Sequence, residues 1–240
     1  MKKCGNAAFT LIELLVVVAI VAVLASLLIA TLGKARSQAR VAKSISNLRQ
    51  IATAINLYVA DNNDLFPRGY FYQPGESELT YVTELAPYLG HKTRSDDPSK
   101  NIFIAPTSAV PIPPQAPNSF IPLTYAVHGV LCPDTSTGRT RVRRSSVQRP
   151  AQVILVGDSS QNSNHGNSFT TFTSPRPFRF TGALENLDDL IPIGPDSDTP
   201  GGMGQLRYRS NNAAAVAMVD GHVALLPKGS VTYGNLIPDR

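Results

Sequence analysis

Cysteine is scarce in this sequence, and its two copies, Cys4 and Cys132, lie far apart along the chain. If Cys4 is removed with an N-terminal leader, no intramolecular disulfide is possible. No CxxC pair and no Cys/His spacing typical of a zinc site is present, so the sequence does not predict a structural zinc site.

An excess of basic residues is also missing from most of the chain, because the part from Asp61 onward contains 15 Lys and Arg and 16 Asp and Glu. The formal charge of +5 therefore belongs to the N-terminal segment, and the bulk of the protein is not a basic nucleic-acid binder by composition.

Polar residues are almost absent from one N-terminal stretch, where Ser26 is the only one within residues 14–30. With residues 9–12 included, the run has about 22 residues, and at about 1.5 Å per residue it matches the hydrocarbon core of a bilayer. A cleaved secretory signal has a shorter apolar region that does not normally begin behind an acidic residue. A plain membrane anchor leaves Glu13 unexplained, because a carboxylate at the edge of a span is costly.

Three features of the N-terminus occur together: a short basic leader, the small residues Ala7 and Ala8, and the sequence Phe-Thr-Leu-Ile-Glu before the apolar run. Over residues 1 to about 60, this pattern resembles the processing signal of type IV prepilins and of type II secretion pseudopilins. The resemblance implies that a prepilin peptidase and methyltransferase cleaves between Ala8 and Phe9 and N-methylates Phe9. The apolar helix then stays on the mature protein. The sequence departs from the family at Ala8, where Gly is usual.

The same resemblance implies an assembly role for Glu13. In the family, this carboxylate is thought to offset the N-terminal amine of a neighbouring subunit as the helices stack into a filament. Ionisable residues within membrane segments usually mark function, which agrees with such a role. Minor subunits that cap the filament tip often lack this residue, so Glu13 favours a subunit within the shaft.

Beyond the apolar run, apolar residues recur in steps of four and three, which predicts one continuous face on the same helix. The residues of this face are Val41, Ile45, Leu48, Ala52, Ile55 and Val59, while Lys43, Asn47, Arg49 and Gln50 are expected on other faces. We therefore divide the chain into a leader at residues 1–8, a helix at residues 9–60 and a globular head at residues 61–240. Within the helix, residues 9–32 form the predicted transmembrane part and residues 33–60 the amphipathic part.

The head is rich in Pro, Gly, Ser and Asn and contains few strand-like runs. The apolar core of residues 151–159 predicts a buried strand, and residues 213–227 predict a hairpin with a two-residue turn at Asp220-Gly221. The long segments 106–122, 138–150 and 159–204 are predicted loops. A long helix followed by a small antiparallel sheet predicts the α+β class, and the resemblance implies the layout of a pilin.

A second resemblance concerns the head, because many proteins with pilin-like N-termini have a large head that ends in an Asp-Gly-His-Val motif. The matching residues here are Asp220, Gly221 and His222, and Asp158 matches an earlier strand-end element of the same group. A His that this group places nine residues before the motif is replaced by Ser210. Proteins of this group commonly have a Cys-Pro pair near the middle of the chain. Its counterpart here is Ala105-Pro106 or, alternatively, Cys132-Pro133. With two polar positions missing, a metal or redox role built on them is not implied.

An enzymatic alternative uses the same residues. Gly157-Asp158-Ser159, with Asp220 and His222 late in the chain, is similar to lipases and esterases of the GDSL type, in which Ser159 would be the nucleophile. That group has an Asp-x-x-His motif, and its Gly-Asp-Ser motif lies at the start of the domain. This chain has Asp-Gly-His instead, and its Gly-Asp-Ser motif comes late in the sequence. We therefore expect no enzymatic activity.

An arginine-rich segment raises a nucleic-acid hypothesis. Five arginines lie within eleven residues, and such a patch suits phosphate contacts that tolerate any sequence. The five are Arg139, Arg141, Arg143, Arg144 and Arg149. A solvated basic loop is the favoured interpretation of the segment, so nucleic acid is not an expected partner.

An acidic segment raises a calcium hypothesis. Major pseudopilins of secretion systems hold Ca²⁺ in a C-terminal loop, and Ca²⁺ favours clustered carboxylate and carbonyl oxygens. The candidate ligands are Asp188, Asp189, Asp196 and Asp198. Their spacing matches no EF-hand, and an acidic surface loop is the alternative. No other cofactor is expected.

Together these patterns predict a structural subunit of a type IV pilus or a type II secretion pseudopilus, assembled through its N-terminal helix. The expected location is the inner membrane, crossed once, with the head on the periplasmic or extracellular side. The expected partners are the lipid bilayer, the peptidase, the assembly platform of the inner membrane, and copies of the chain or related pilins. The competing hypothesis is an anchored head that binds DNA or another ligand without entering a filament.

Overall fold

A computed structural model of the chain describes residues 10–73, 79–90, 101–108, 123–161, 186–191, 193, 196–198 and 205–238. The chain divides into two compact units, Met1–Arg40 and Val41–Arg240. A long N-terminal helix is followed by small antiparallel sheets, so the predicted α+β class with a pilin-like layout is confirmed.

Helix α1 is one continuous element, Leu11–Asp61. It contains no proline, and Gly33, the weakest helix former in it, does not interrupt it. After the helix, Asn63 and Asp64 take left-handed φ angles of 54° and 65°, which these two residue types tolerate. The Asp64 amide donates back to the Val59 carbonyl at 3.0 Å, so this turn closes the helix. The helix end predicted near residue 60 is therefore confirmed.

The first unit carries the apolar half of α1. Its large apolar side chains are exposed from Leu11 through Ile29 and again at Leu32. By length and composition, this helix is able to cross a membrane. A continuous apolar surface of this kind is stable only against lipid or against another apolar surface.

The second unit begins with the rest of α1, which forms one wall of the main core. Five of the six residues of the predicted face are buried, and Ile45 is half-buried. The buried stripe is wider than predicted, because it also includes Ser44, Ile51, Ala54 and Tyr58. Asn47 was expected on another face but is buried, and its side-chain nitrogen donates to the Ile104 carbonyl at 3.4 Å. That expectation was wrong because an apolar pattern does not register a polar residue that finds a backbone partner.

Two short strands and a helix that were not predicted from the sequence follow α1. Strands β1 (Tyr70–Phe71) and β2 (Leu79–Thr80) form a two-stranded antiparallel sheet, and helix α2 (Tyr81–Leu89) follows directly. The Thr80 hydroxyl caps α2 by accepting from the Val82 amide at 3.3 Å, and Gly90 ends it with a φ of 60°. Both signals are readable in the sequence, but Pro87 inside the helix argues against a helix there.

The main sheet has four antiparallel strands in chain order: β3 (Tyr125–Val127), β4 (Ile154–Asp158), β5 (Ala213–Met218) and β6 (Val223–Pro227). Strand β4 is buried along its whole length, and β5 and β6 form a hairpin, as predicted. In the pairing of β3 with β4, Tyr125 lies opposite Asp158. Short 3-10 helices lie at Thr135–Thr137, Arg144–Ser146 and Tyr233–Asn235.

Both faces of the main sheet are covered. Successive residues of a strand point to opposite faces, and β5 shows this directly. Ala215 and Ala217 belong to the core that contains the second half of α1. Val216 and Met218 belong to a second core, built with residues from the C-terminal part of the chain. These residues are Ile191, Leu206, Tyr208, Val231 and Leu236. A sheet buried on both faces explains why β4 reads as a continuous apolar run rather than an alternating one.

The turn between β5 and β6 differs from the prediction. The Gly221 amide donates to the Met218 carbonyl at 2.9 Å, and the Met218 amide donates to the His222 carbonyl at 2.8 Å. The loop therefore contains three residues, 219–221, rather than two. Gly221 takes a φ of 97°, as the left-handed position of a three-residue hairpin loop requires. The glycine was recognised correctly, but its position in the turn was not, because an Asp-Gly pair serves both kinds of loop.

Candidate functional site

The start of α1 is held by a reciprocal pair of polar side chains. The Thr10 amide and hydroxyl donate to Oε2 of Glu13 at 2.9 and 2.8 Å. In return, the Glu13 amide donates to the Thr10 hydroxyl at 3.3 Å. This is a capping box, in which two otherwise unpaired amides of the first turn are satisfied. Ala8 and Phe9, the predicted cleavage site, lie outside the described residues.

The capping box leaves one carboxylate oxygen of Glu13 available. All the hydrogen bonds that Glu13 accepts from described residues go to Oε2. Oε1 therefore remains open to a cation from outside the chain. From the sequence, Glu13 was predicted to have one role, as a counter-charge. The Thr-x-x-Glu signature, which gives Glu13 a second, local role as part of the helix cap, was missed. The two roles use different oxygens and are compatible.

In the head, Asp158 is at the centre of a buried charge network. Its carboxylate is 2.8 Å from Nη1 of Arg209, and both side chains are almost fully buried. Arg209 also contacts Asp198 at 2.6 Å, so one guanidinium joins two carboxylates. The Thr107 hydroxyl donates more weakly to Asp158 at 3.4 Å. Asp158 stands opposite Tyr125 on neighbouring strands. Since Tyr125 belongs to the core that contains α1, Asp158 and Tyr125 lie on the sheet face that α1 covers.

The network continues through Arg207 to the second hairpin strand. Arg207 binds Asp198 through Nε and Nη2 at 3.2 and 3.1 Å, and it also forms an ion pair with Asp196. Lys228, just after β6, reaches Asp196 at 2.9 Å. Three carboxylates are thus matched by three cations. This balance suits a buried network, because an unpaired charge away from water is strongly destabilising.

The three carboxylates differ in their acidity. Burial raises the pKa of Asp158 to about 6, although the nearby charges of Arg209 and Arg207 oppose this shift. Burial also acts to raise the pKa of Asp196 and of Asp198. The hydrogen bond from Lys228 helps to outweigh the effect of burial on Asp196, so the pKa of Asp196 is lowered. The hydrogen bonds from Arg207 do the same for Asp198, whose pKa is also lowered. Asp196 and Asp198 are therefore ionised partners of the cations over a wide pH range.

The Asp-Gly-His motif forms a partly exposed pair on the β5–β6 loop. Nδ1 of His222 lies 2.7 Å from Oδ1 of Asp220, and the His222 amide donates to the same oxygen at 3.0 Å. Partial burial acts to raise the pKa of Asp220, but these contacts with His222 lower it below its usual value. A Cβ added at Gly221 would lie 2.9 Å from Nδ2 of Asn56. The loop therefore packs closely on α1, which gives the glycine a structural reason beyond its φ angle.

Residues 33–185, more than half of the 240-residue chain, match the family described as Protein of unknown function (DUF1559). The chain belongs to the DUF1559 family. Residues 3–29 match the prokaryotic N-terminal methylation motif, which confirms the resemblance to type IV prepilins and pseudopilin-like proteins. This motif implies processing by a prepilin peptidase and pilin-type assembly in general, and it agrees with membrane anchoring through α1. No curated protein and no solved structure matches the chain.

The charge network crosses the boundary of the DUF1559 match. Asp158 lies within it, whereas Arg207, Arg209 and both strands of the β5–β6 hairpin lie beyond residue 185. The hairpin nevertheless completes the sheet by pairing β5 with β4. The part of the chain after the match is therefore integral to this head, and the buried ion pairs connect the two parts.

The arginine-rich segment is largely engaged with the head itself. Arg141 donates to the Tyr58 hydroxyl at 2.7 Å and to the Phe66 carbonyl. Arg143 donates to the Asn63 carbonyl at 2.5 Å. Contacts of this kind connect the segment to the end of α1. In addition, Arg149 donates to Gln152 and Ile237, Arg144 is half-buried, and Arg139 is exposed. The nucleic-acid hypothesis stays a prediction, with fewer free cations than the sequence indicates.

The structure separates the four acidic residues of the calcium hypothesis by their contacts. Asp196 and Asp198 are paired with cations of the network, as described above. Asp188 and Asp189 lie in a turn where their amides donate to Asn186, and the Asp189 carbonyl accepts from the Tyr233 amide at 3.0 Å. Among the described residues, no group of three or more His, Cys, Asp or Glu is arranged to hold a metal ion. The calcium hypothesis stays a prediction.

The residues of the esterase alternative are not brought together. Ser159 follows the last residue of β4, whereas the loop with Asp220 and His222 lies at the first, because the Val219 amide donates to the Val153 carbonyl at 3.0 Å. The five residues of β4 span about 17 Å at about 3.3 Å each. Ser159 is also fully buried. A serine activated by this Asp/His pair would need all three within hydrogen-bond reach.

Sequence reasoning missed Arg207 and Arg209 entirely. The available signal was the Arg-Tyr-Arg alternation, which places both arginines on the side opposite Tyr208 in an extended segment. Tyr208 is buried in the second core, as that alternation requires. The buried partner of Arg209, Asp158, is about fifty positions away in the sequence, and nothing in the local pattern identifies it.

Proposed function

We propose that this protein is a structural subunit of a type IV pilus or a type II secretion pseudopilus, located in the filament shaft. The observation that carries the proposal is the match of residues 3–29 to the methylation motif, on a helix whose large apolar side chains are exposed from Leu11 through Ile29. In this proposal, a peptidase removes residues 1–8 and methylates Phe9. The mature protein then waits in the inner membrane with its head on the outer side.

Assembly in this proposal replaces one apolar environment by another. The side chains of residues 11–32 leave lipid and pack against the same segment of neighbouring subunits. The open Oε1 of Glu13 supports a contact with the amine of a neighbouring Phe9, because Oε2 is already used within the chain. A buried carboxylate paired with a cation is tolerated where an unpaired one is not. The proposed partners are therefore copies of the chain or related pilins, together with the assembly platform.

The proposed subunit has no catalytic role. The separation of Ser159 from His222 along β4 supports this view. An anchored head that binds a ligand outside any filament is the competing class, and filament incorporation distinguishes the two. A subunit of the shaft is recovered with sheared filaments, whereas an anchored binding protein stays in the membrane fraction.

Mass spectrometry of the mature N-terminus tests the processing step. We expect a chain that begins at an N-methylated Phe9. A mature protein that begins near residue 30 or later would contradict the proposal and indicate ordinary secretion. Replacing Ala8 by Gly provides a matched control, since it restores the usual family residue and is expected to leave the cleavage position unchanged.

A further inference from the structure

A group of unpaired cations follows the apolar half of α1. We refer to Lys34, Arg36 and Arg40 as the cationic collar. All three side chains are exposed and belong to the first unit. Within the part of the chain that the structure describes, none of them has an ion pair or a side-chain hydrogen bond. The sequence also contains no Asp or Glu from Leu14 through Ala60, so the helix itself offers no counter-charge.

The position of the collar follows from the rise of the helix. Residues 11–32 cover about 33 Å, which is about the thickness of the hydrocarbon core. Lys34 then lies about 3 Å beyond Leu32 along the axis, and Arg40 about 12 Å beyond it. Headgroups occupy about 5–8 Å on each side of a bilayer, and a charged surface acts over a further distance of about 8–10 Å. All three cations therefore fall within reach of the headgroup layer.

The arrangement of the cations around the helix indicates the kind of partner. At about 100° per residue, Arg36 and Arg40 are about 40° apart around the helix, whereas Lys34 is about 160° from Arg36 and about 120° from Arg40. A protein neighbour would meet only one side of the helix, whereas lipid headgroups surround it. We infer that the collar binds the headgroups of anionic phospholipids in the leaflet where α1 leaves the membrane, and that this contact holds the unassembled subunit at a fixed depth.

This binding accounts for a conflict in the sequence. Cations after a span oppose an outward C-terminal head by the usual count of positive charges. Contacts with anionic headgroups give the same cations a role on the side where the head emerges. The inference rests on the membrane-anchored state of the proposed function, but it does not depend on filament assembly.

Native mass spectrometry of the full chain tests the inference directly. The protein is released from nonionic detergent micelles that contain equal amounts of phosphatidylglycerol and phosphatidylcholine, and the retained lipids are counted. From about 1 kcal/mol for each Lys or Arg near an anionic surface, we expect about a fivefold preference for phosphatidylglycerol per cation. The preference should weaken as salt in the micelle solution is raised.

Three variants, all with an unchanged sequence before Lys34, complete the test. The triple variant Lys34→Gln, Arg36→Gln, Arg40→Gln is expected to lose the preference, and Lys34→Arg, Arg36→Lys, Arg40→Lys is expected to keep it. Arg139→Gln, which removes an exposed cation of the head, is also expected to keep it. An unchanged unfolding midpoint of the head shows that each variant is folded.

Two results would overturn the inference. One is equal retention of the two lipids by the wild-type protein, and the other is an unchanged preference in the triple glutamine variant. If the lipids are retained equally while the triple variant no longer enters filaments, the collar contacts a neighbouring subunit instead. Because the measurement uses unassembled protein, a failed inference is distinguishable from a failure of the proposed function.

Discussion

Replacing Glu13 by Gln and Thr10 by Val separates the two roles of the N-terminal carboxylate. Glutamine keeps the capping box, because its amide oxygen accepts the Thr10 bonds that Oε2 accepts at 2.9 and 2.8 Å. It removes only the charge. Valine at position 10 removes the hydroxyl that the cap requires and leaves the charge of Glu13 in place.

The two substitutions differ in expected size. Loss of a cap costs about 1 kcal/mol, which is about a fivefold effect. An uncompensated charge within a membrane segment costs about 2.5–3.5 kcal/mol, so loss of the counter-charge corresponds to about 50-fold or more. If the charge acts in assembly, Glu13→Gln reduces filament incorporation far more than Thr10→Val does.

The assay compares the amount of subunit in sheared filaments with the amount in the membrane fraction, at equal expression. Processing at Phe9 is measured in parallel, so that a defect in assembly is not confused with a defect in cleavage. Normal incorporation of Glu13→Gln together with a defect of Thr10→Val would refute the reasoning. Glu13 would then act only as part of the helix cap.

Further predictions concern the stability of the head, measured by urea unfolding of the full chain in detergent. Gly221→Ala should destabilise the head by about 1–2 kcal/mol from the φ of 97° alone, plus a cost for displacing Asn56. The control Gly138→Ala, with a φ of 79° and no atom within 4 Å, should show only the cost of the φ angle. Equal losses of stability in the two variants would contradict the close packing of the β5–β6 loop. Asp158 has a pKa of about 6 in the folded state and of about 3.8 in the unfolded chain. Its contribution to stability is therefore present below pH 4 and is lost between pH 4 and 6. The free energy of unfolding of the wild type relative to Asp158→Asn should therefore fall by up to about 3 kcal/mol across that window, and a difference that rises or stays flat would show that the carboxyl ionises normally.

Elements with a strong local pattern could be predicted from the sequence. The apolar run and the four-and-three spacing fix the length of α1 and the side that faces the main core. The continuous apolar segment of β4 and the Asp-Gly pair of the hairpin are equally local signals. The head also contains elements whose signals conflict, and these were missed. Helix α2 has a Thr cap and a Gly stop, but Pro87 weakens the pattern between them.

The charge network could not be predicted because its geometry depends on distant segments. Asp158 ends a strand that was recognised, but its partner Arg209 comes after a long segment with no local pattern that sets its position. The acidic residues Asp196 and Asp198 were noticed for a different reason, since clustered carboxylates suit a cation of either kind. Whether a carboxylate meets a metal or a guanidinium depends on which chain segments pack together, and only tertiary structure specifies this.

The position of the second half of α1 has a practical consequence for producing the head without its membrane segment. Residues 9–60 read as a single helical element, which suggests removing all of it. Leu48, Ile51 and Ile55 are nevertheless fully buried against the sheet, and their removal would uncover the face that carries Ala215 and Ala217. A shortened chain that begins at Ser37 or Val41 keeps this wall and should remain monomeric, whereas one that begins at Asn62 should aggregate during purification.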